Sequence, residues 1–329
     1  MEQQQYHYTM NSGPVKKPEN RFLRIWGPVL VKWGIGMGVS MLAMMLFESF
    51  TILKKSGVDI KAVQNMSQVW DVIYQNMLDM SKSAELATEA AEEMLKYTTP
   101  LEGITAFLTI PILMVMFHKD TIREKIAGFV PNKKAALWKY GAIFIMTVAM
   151  TLGLNNLIEI GGLMSASEGY EDAMNNLYAA SLPLQILCLG ILIPICEELV
   201  FRGLMFRRLR QGNSFLAAAL YSSVVFGFLH ANMVQMLYGF ILGLTFCYLY
   251  EKYGSVKAPV FAHIASNILS VLLTEMKAME WMAEKPLRIG MITVICASAA
   301  STMYILIQRI EEKPDETEKK EQNENLAAM

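Results

Sequence analysis

The stretch AASLPLQILCLGILIPICEELVFRG, residues 179–203, decides the fold. Residues 179–196 hold no charged side chain, and the run then closes on Glu197, Glu198 and Arg202. A membrane helix needs about 20 mainly apolar residues to cross about 30 Å of hydrocarbon, and this stretch supplies them. Working outward, the same criterion picks seven more runs: Ile25–Leu53, Pro100–Phe117, Trp138–Ile158, Ser214–His230, Met233–Tyr250, Ala258–Thr274 and Ile289–Ile307. With the fourth run taken as Ala179–Phe201, the expected fold is all-α, a polytopic transmembrane bundle of about eight helices. The fifth run is among the shortest and leads almost directly into the sixth.

Composition agrees with that reading. Of 329 residues 53% are hydrophobic and 18% charged, with mean hydropathy +0.31; a soluble domain carries about 25% charged residues. The net charge of -1 gives no reason to expect nucleic acid as a partner. The 25 methionines read as flexible apolar filler. Cys188, Cys196, Cys247 and Cys296 all lie inside apolar runs, so no disulfide framework is implied. Met1 to Asn20 is polar and lacks the apolar core of a signal peptide, so the first helix itself is expected to direct insertion.

Lysine and arginine distribution orients the bundle. One side receives Lys16, Lys17, Arg21 and Arg24, then Lys119, Arg123, Lys125, Lys133 and Lys134, then Arg202, Arg207, Arg208 and Arg210, then Lys252 and Lys257. The other holds the acidic loops near Glu168, Glu171 and Asp172, with Lys54 and Lys55 dissenting. Both termini are therefore expected on the cytoplasmic face. Lys32 and Glu48 flank the cleanest part of the first span, where a lysine can snorkel to the interface. Residues 1–24 read as a polar cytoplasmic segment, 25–310 as the bundle, and 311–329 as a disordered tail. On the outer side, residues 57–97 place Val63, Met66, Trp70, Ile73 and Met77 at helical spacing, an amphipathic segment expected to cap the bundle.

Ionisable groups inside membrane helices cost about 2.5–3.5 kcal/mol each at the helix centre and mark partners or wet cavities. Three sets occur. Glu197 and Glu198 point about 100° apart, with Arg202 one turn beyond Glu198, so Glu198–Arg202 can pair while Glu197 faces elsewhere. Phe226 and His230 share a face of the fifth helix, and Gly227 lets a neighbour approach closely. His263 and Asn267 share a face of the seventh. Two of only four histidines fall in these sets. Each residue alone reads as interhelical hydrogen-bonding glue. Together, on three successive apolar segments, they read as a functional site.

These residues resemble the CPBP family, also called the Abi or type II CAAX prenyl endopeptidase family of intramembrane proteases. Its pattern is EExxxR, then FxxxH, then HxxxN or HxxxD, here Glu197-Glu198…Arg202, Phe226…His230 and His263…Asn267. The resemblance covers roughly residues 179–274. It implies an intramembrane endopeptidase. Glu197 with His230 would activate a water, Glu198 would hold the first motif through Arg202, and His263 and Asn267 would donate to the oxyanion. It also implies a membrane-associated, lipidated or secreted peptide substrate. A bacterial plasma membrane is the expected setting, where members are linked to bacteriocin processing and self-immunity.

Glu197, His230 and His263 form a candidate zinc set. Nothing resembles His-Glu-x-x-His, and asparagine suits an oxyanion hole better than zinc, so a glutamate-activated water without a required metal is the favoured reading. Cys196 could suggest a thiol protease, but without a nearby cation it would stay inert. By length, His230 ends a helix about 24 Å high while His263 comes about 9 Å into its own, so the fourth helix must continue past Arg202 for them to meet. The cavity is expected at intermediate depth and open towards the cytoplasm. The alternatives are a non-catalytic immunity or scaffold protein retaining the polar cluster, and a proton-relaying transporter, which would more often show broken helices and repeat symmetry.

Overall fold

The computed structural model describes residues 20–56, 66–129, 132–167, 169–230 and 232–311. Residues 1–19, Val63, Glu168 and the tail from 312 onward lie outside them, as does the expectation of a disordered tail. The described elements are helical: α1 Arg21–Lys55, α2 Met66–Leu78, α3 Met80–Leu95, α4 Thr98–Ile126, α5 Tyr140–Ile160, α6 Leu163–Ala166 and α7 Tyr170–Leu177. There follow α8 Leu182–Arg210, α9 Phe215–Phe228, α10 Met233–Tyr253, α11 Lys257–Glu275, α12 Ala278–Ala283 and α13 Pro286–Gln308. Among the described residues, seven helices are long and apolar enough to cross a membrane, namely α1, α4, α5 with its leading turn, α8, α10, α11 and α13. The chain is a multi-pass helical membrane protein. The eighth expected span is α9, whose 14 residues rise only about 21 Å.

Asn20 starts α1, its side-chain oxygen accepting from the backbone N–H of Phe22 at 3.0 Å and Leu23 at 3.4 Å. At 35 residues α1 rises about 52 Å and overshoots a membrane. Its surplus end packs on the α2–α3 pair through buried Ile52, Ile73 and Leu86, flanked by Leu53, Val69 and Val72. The amphipathic face is thus rotated from the expected one: Ile73 turns inward, while Trp70 and Tyr74 are exposed. Lys55, which dissented from the charge pattern, pairs here with Glu85 and Glu89 of α3.

The end of the bundle that holds Arg21 and Ile310, called the termini end below, is tied by ion pairs. Arg207 meets Glu124, Arg208 meets Asp120 at 2.5 Å, and Arg210 meets Glu251 at 2.7 Å. Arg24 donates to Gln211 at 2.6 Å and Trp26 to the Tyr221 hydroxyl at 3.0 Å, fastening α1 to α8 and α9.

Two features of the core position the site. First, α8 runs unbroken to Arg210 but widens to π-helical turns over Ile186–Leu192 and Leu199–Phe206. Pro194 lacks an N–H and crowds the carbonyl one turn before it, a strain that a wider turn relieves. Carbonyls in the wide turns accept from neighbouring helices: Leu189 from Asn267 Nδ2 at 2.9 Å, Phe201 from Ser222 Oγ at 3.1 Å. Such bulges cluster at functional sites.

Second, α9 and α10 form a hairpin packed backbone to backbone. A Cβ on Gly227 would stand 2.7 Å from the Met236 carbonyl oxygen, which cannot swing aside as a side chain would. Gly227→Ala is therefore expected to destabilise the fold by about 1–3 kcal/mol, the usual range for overpacking. A denaturant titration in mixed micelles checks this; an unchanged midpoint would contradict the close approach.

Candidate active site

Glu198 and Arg202 form the floor of the site. Arg202 Nη1 lies 2.8 Å from Glu198 Oε1, one turn along α8, with both side chains fully buried. The guanidinium carbon sits 4.4 Å from the Phe226 ring centroid, 5.2 Å from Phe246 and 5.9 Å from Phe201. Ring faces solvate a cation where water is absent, by about 2 kcal/mol or more once it is desolvated. Gly243 of α10 leaves the room, since a Cβ there would come 3.0 Å from Arg202 Nη2. The sequence predicts this pair, and the structure places it as predicted.

Above the pair sits His263 of α11. Its Nδ1 is 2.8 Å from Glu198 Oε1, and its Nε2 is 3.9 Å from Glu197 Oε2. A carboxylate only accepts, so Nδ1 carries the proton in this bond. It follows that Nε2 can donate to a substrate only when the ring is doubly protonated. Phe246, at 5.0 Å between centroids, and Phe226, at 5.9 Å, hold the imidazole from two sides.

His230 follows the C-terminus of α9. Its Nδ1 lies 2.8 Å from the Phe226 carbonyl oxygen, an acceptor, so the proton sits on Nδ1 and Nε2 keeps a lone pair. The ring stands edge-on to Phe226 at 4.9 Å. Opposite is Gly239, where a Cβ would come 3.2 Å from the ring. The spacing of Gly227, Gly239 and Gly243 thus serves the polar cluster directly, making room for helix, imidazole and guanidinium. Phe226 touches Arg202, His230 and His263 at once, so it is the hub on which the three motifs meet.

The unbroken α8 and the short α9 resolve the height mismatch between the histidines. α9 stops after about 21 Å, and His230 stands just past its end, partly buried. There it joins Glu197, His263 and Asn267 in lining a cavity of about 1010 Å³. Glu198 and Arg202 do not line it and sit behind its wall. Asn267 spends one N–H on the Leu189 carbonyl, tying α11 to α8.

Access differs from expectation. The other lining comes from mid-helix residues and from the end opposite the termini: Met164, Tyr170, Tyr178, Gln235, Lys277 and Glu280. The expected opening toward the Lys/Arg-rich end is corrected to the far end. At the termini end, ion pairs tie the helices together. Burial raises the phenols of Tyr170 and Tyr178 above their ordinary value, so both stay neutral at the mouth.

One residue escaped the sequence reading. Lys32 lies about 17 Å along α1, too deep for the interfacial role expected of it. It points inward, its Nζ 3.1 Å from Glu197 Oε1. Only the burden of a lysine at that depth signalled a partner. Cys196, fully buried in the α8 core, is absent from the cavity wall.

For the candidate zinc set, no three His, Cys, Asp or Glu side chains among the described residues converge closely enough to hold a metal ion. Glu197 Oε1 faces an ammonium, and His263 Nε2 stands 3.9 Å from the other oxygen. This arrangement does not fit a three-ligand site, and no step is derived through a metal.

Residues 179–269 match the family described as type II CAAX prenyl endopeptidase Rce1-like. A curated relative, "Putative membrane peptidase YdiL" of Bacillus subtilis (strain 168), is 25% identical over 187 residues, covering 56% of this chain and 76% of that protein. No solved structure matches the chain. The matched segment of this multi-pass membrane protein holds Glu197, Glu198, Arg202, Phe226, His230, His263 and Asn267 together, so the whole polar cluster lies within the part of the chain that is similar to the Rce1-like, type II CAAX prenyl endopeptidase family.

Proposed function

We propose that the chain is an intramembrane endopeptidase that hydrolyses a peptide bond of a membrane-associated, lipidated or secreted peptide. The observation that carries this is the split of the six polar residues. Glu197, His230, His263 and Asn267 face one cavity, while the Glu198–Arg202 pair lies behind it and holds His263.

In the proposed reaction a water in the cavity gives a proton to Glu197, assisted by the lone pair on His230 Nε2, as its oxygen adds to the scissile carbonyl carbon. The carbonyl electron pair moves onto oxygen, where Asn267's second amide N–H and doubly protonated His263 offer donors to the developing charge. Collapse breaks the C–N bond, and the proton taken from water passes to the leaving amine. Water is consumed, and one carboxylate and one amine form. No metal is required in this scheme. A chelator is accordingly expected to leave the rate unchanged; a loss restored by zinc would contradict it.

Under the positive-inside rule the termini end faces the cytoplasm of a plasma membrane, so the cavity opens extracytoplasmically. Its substrates are then peptides that reach that face. A second reading, a non-catalytic immunity or scaffold protein, draws on the fact that His263 Nδ1 and Asn267 Nδ2 both bond between helices. The test is purified protein in lipid nanodiscs with a pool of quenched fluorogenic lipopeptides, products being read by mass spectrometry. Cleavage by the wild type that is lost in Glu197→Gln supports the protease. Equal cleavage by both supports a contaminant, and no cleavage supports the scaffold.

A further inference from the structure

We propose that Lys32, on the first membrane helix and outside residues 179–269, is a positioning residue of the hydrolytic centre, fixing the Glu197 carboxylate with one oxygen toward His263. The inference rests on the hydrolytic reading of Glu197.

Charge balance points to it first. Glu197 and Glu198 are adjacent and nearly or wholly removed from solvent, with side-chain exposures of 13% and 0%. Two neighbouring carboxylates in such a place need two cations, because a buried charge left alone costs several kcal/mol. Arg202 serves Glu198 alone among the two. Lys32 supplies the second cation, 3.1 Å from Glu197. Without it, Arg202 would be the one permanent cation paired with the two glutamates among the described residues, since His263 is charged only when doubly protonated.

Geometry points the same way. Lys32 binds Oε1, and Oε2 is the oxygen nearest His263 Nε2. Holding Oε1 from the α1 side fixes the plane of the carboxylate, so that Oε2 is presented where a water between Glu197 and the imidazoles would lie. A lysine can do this only if its helix is registered on the core, and α1 is. Val29, three residues before Lys32, is 1% exposed and packs in the cluster that contains Val200 and Phe201. One turn beyond Lys32, Gly36 brings α1 close to Thr105 of α4, at 3.4 Å for an added Cβ. The site therefore spans α1 as well as α8, α9 and α11.

The experiment uses the full chain in nanodiscs and the best-cleaved member of the fluorogenic lipopeptide pool. Lys32→Met keeps the length and loses the charge; Lys32→Arg restores a cation. Misplacing a catalytic group by about 1 Å costs about 10²-fold, so Lys32→Met is expected to lower kcat by about 10–100-fold with KM changed less than about threefold. Lys32→Arg should recover most of that loss. A merely structural lysine would instead lower the unfolding midpoint in step with kcat, and would show no such split. In a Cys196→Ala background, a Lys32→Cys, Glu197→Cys pair should be joined by a short bis-methanethiosulfonate. Lys32→Met turning over like the wild type while Glu197→Gln is inactive would overturn this inference alone, as would a failure of the cysteine pair to join. Unimpaired cleavage by Glu197→Gln would remove the hydrolytic reading and this one with it.

Discussion

Arg202→Met is expected to destabilise the bundle by about 3–5 kcal/mol, because it strips the cation from a buried carboxylate without removing the carboxylate. Glu198 has no exposure to water and its Oε1 is shared by Arg202 and His263, so the lost charge cannot be replaced by solvent. The three phenylalanine rings around the guanidinium also lose their cation. Methionine fills part of the volume, which keeps the cavity term small and isolates the electrostatic one. The partner Glu198→Gln should cost less on its own, since glutamine still accepts from Arg202 and His263. The double variant Glu198→Leu, Arg202→Met should be less damaging than Arg202→Met alone, because replacing a buried ion pair outright is often near neutral. Unfolding midpoints in mixed micelles for the four proteins read this directly. A double variant that is worse than both singles would show that the pair contributes net stability beyond mutual compensation.

The second large effect is on rate. Glu197→Gln and His230→Ala should each lower kcat/KM by about 10²–10⁴-fold, the range for a positioned acid–base group. Both act on the same proton of the same water, so their losses should not add. The double variant is expected within about tenfold of the worse single, as for groups that work as a unit. Additive losses would place the two residues in independent roles and dissolve the shared centre. Neither side chain is part of the buried floor: Glu197 keeps some exposure and His230 lines the cavity. Unfolding midpoints should accordingly move far less than for Arg202→Met.

Much of this architecture was legible in the residues. The apolar runs announce the bundle because hydrocarbon length is a fixed yardstick, and seven of the eight runs became helices of spanning length. The run Ser214–His230 failed that yardstick in a productive way: its last residues leave the helix, and the turn drops His230 into the interior. The i, i+4 spacing of Glu198 and Arg202 was enough to foretell their pairing, since both partners share one helix. Contacts between helices were not readable in this way. Nothing local to Lys32 specifies that α1 lies against α8, and a lysine in an apolar run is compatible with snorkelling until the neighbour is known. The opening of the cavity was missed for a similar reason. Charge counts report which end faces which compartment, while the cavity's lining is set by how residues of separate helices and loops come together. The four-residue spacing of Gly239 and Gly243 specifies no more than a close approach, and the groups that approach, the His230 imidazole and the Arg202 guanidinium, come from beyond α9 and from α8.

The most direct test is substrate capture with the full chain carrying Glu197→Gln. Incubated in nanodiscs with the lipopeptide pool and read by native mass spectrometry, this variant should retain an intact peptide that the wild type releases as two fragments. Addition of His230→Ala to the trap should leave the peptide still bound and uncut. Fragments released by Glu197→Gln at the wild-type rate would contradict the account, for the carboxylate at the heart of the cavity would then have no part in breaking the bond.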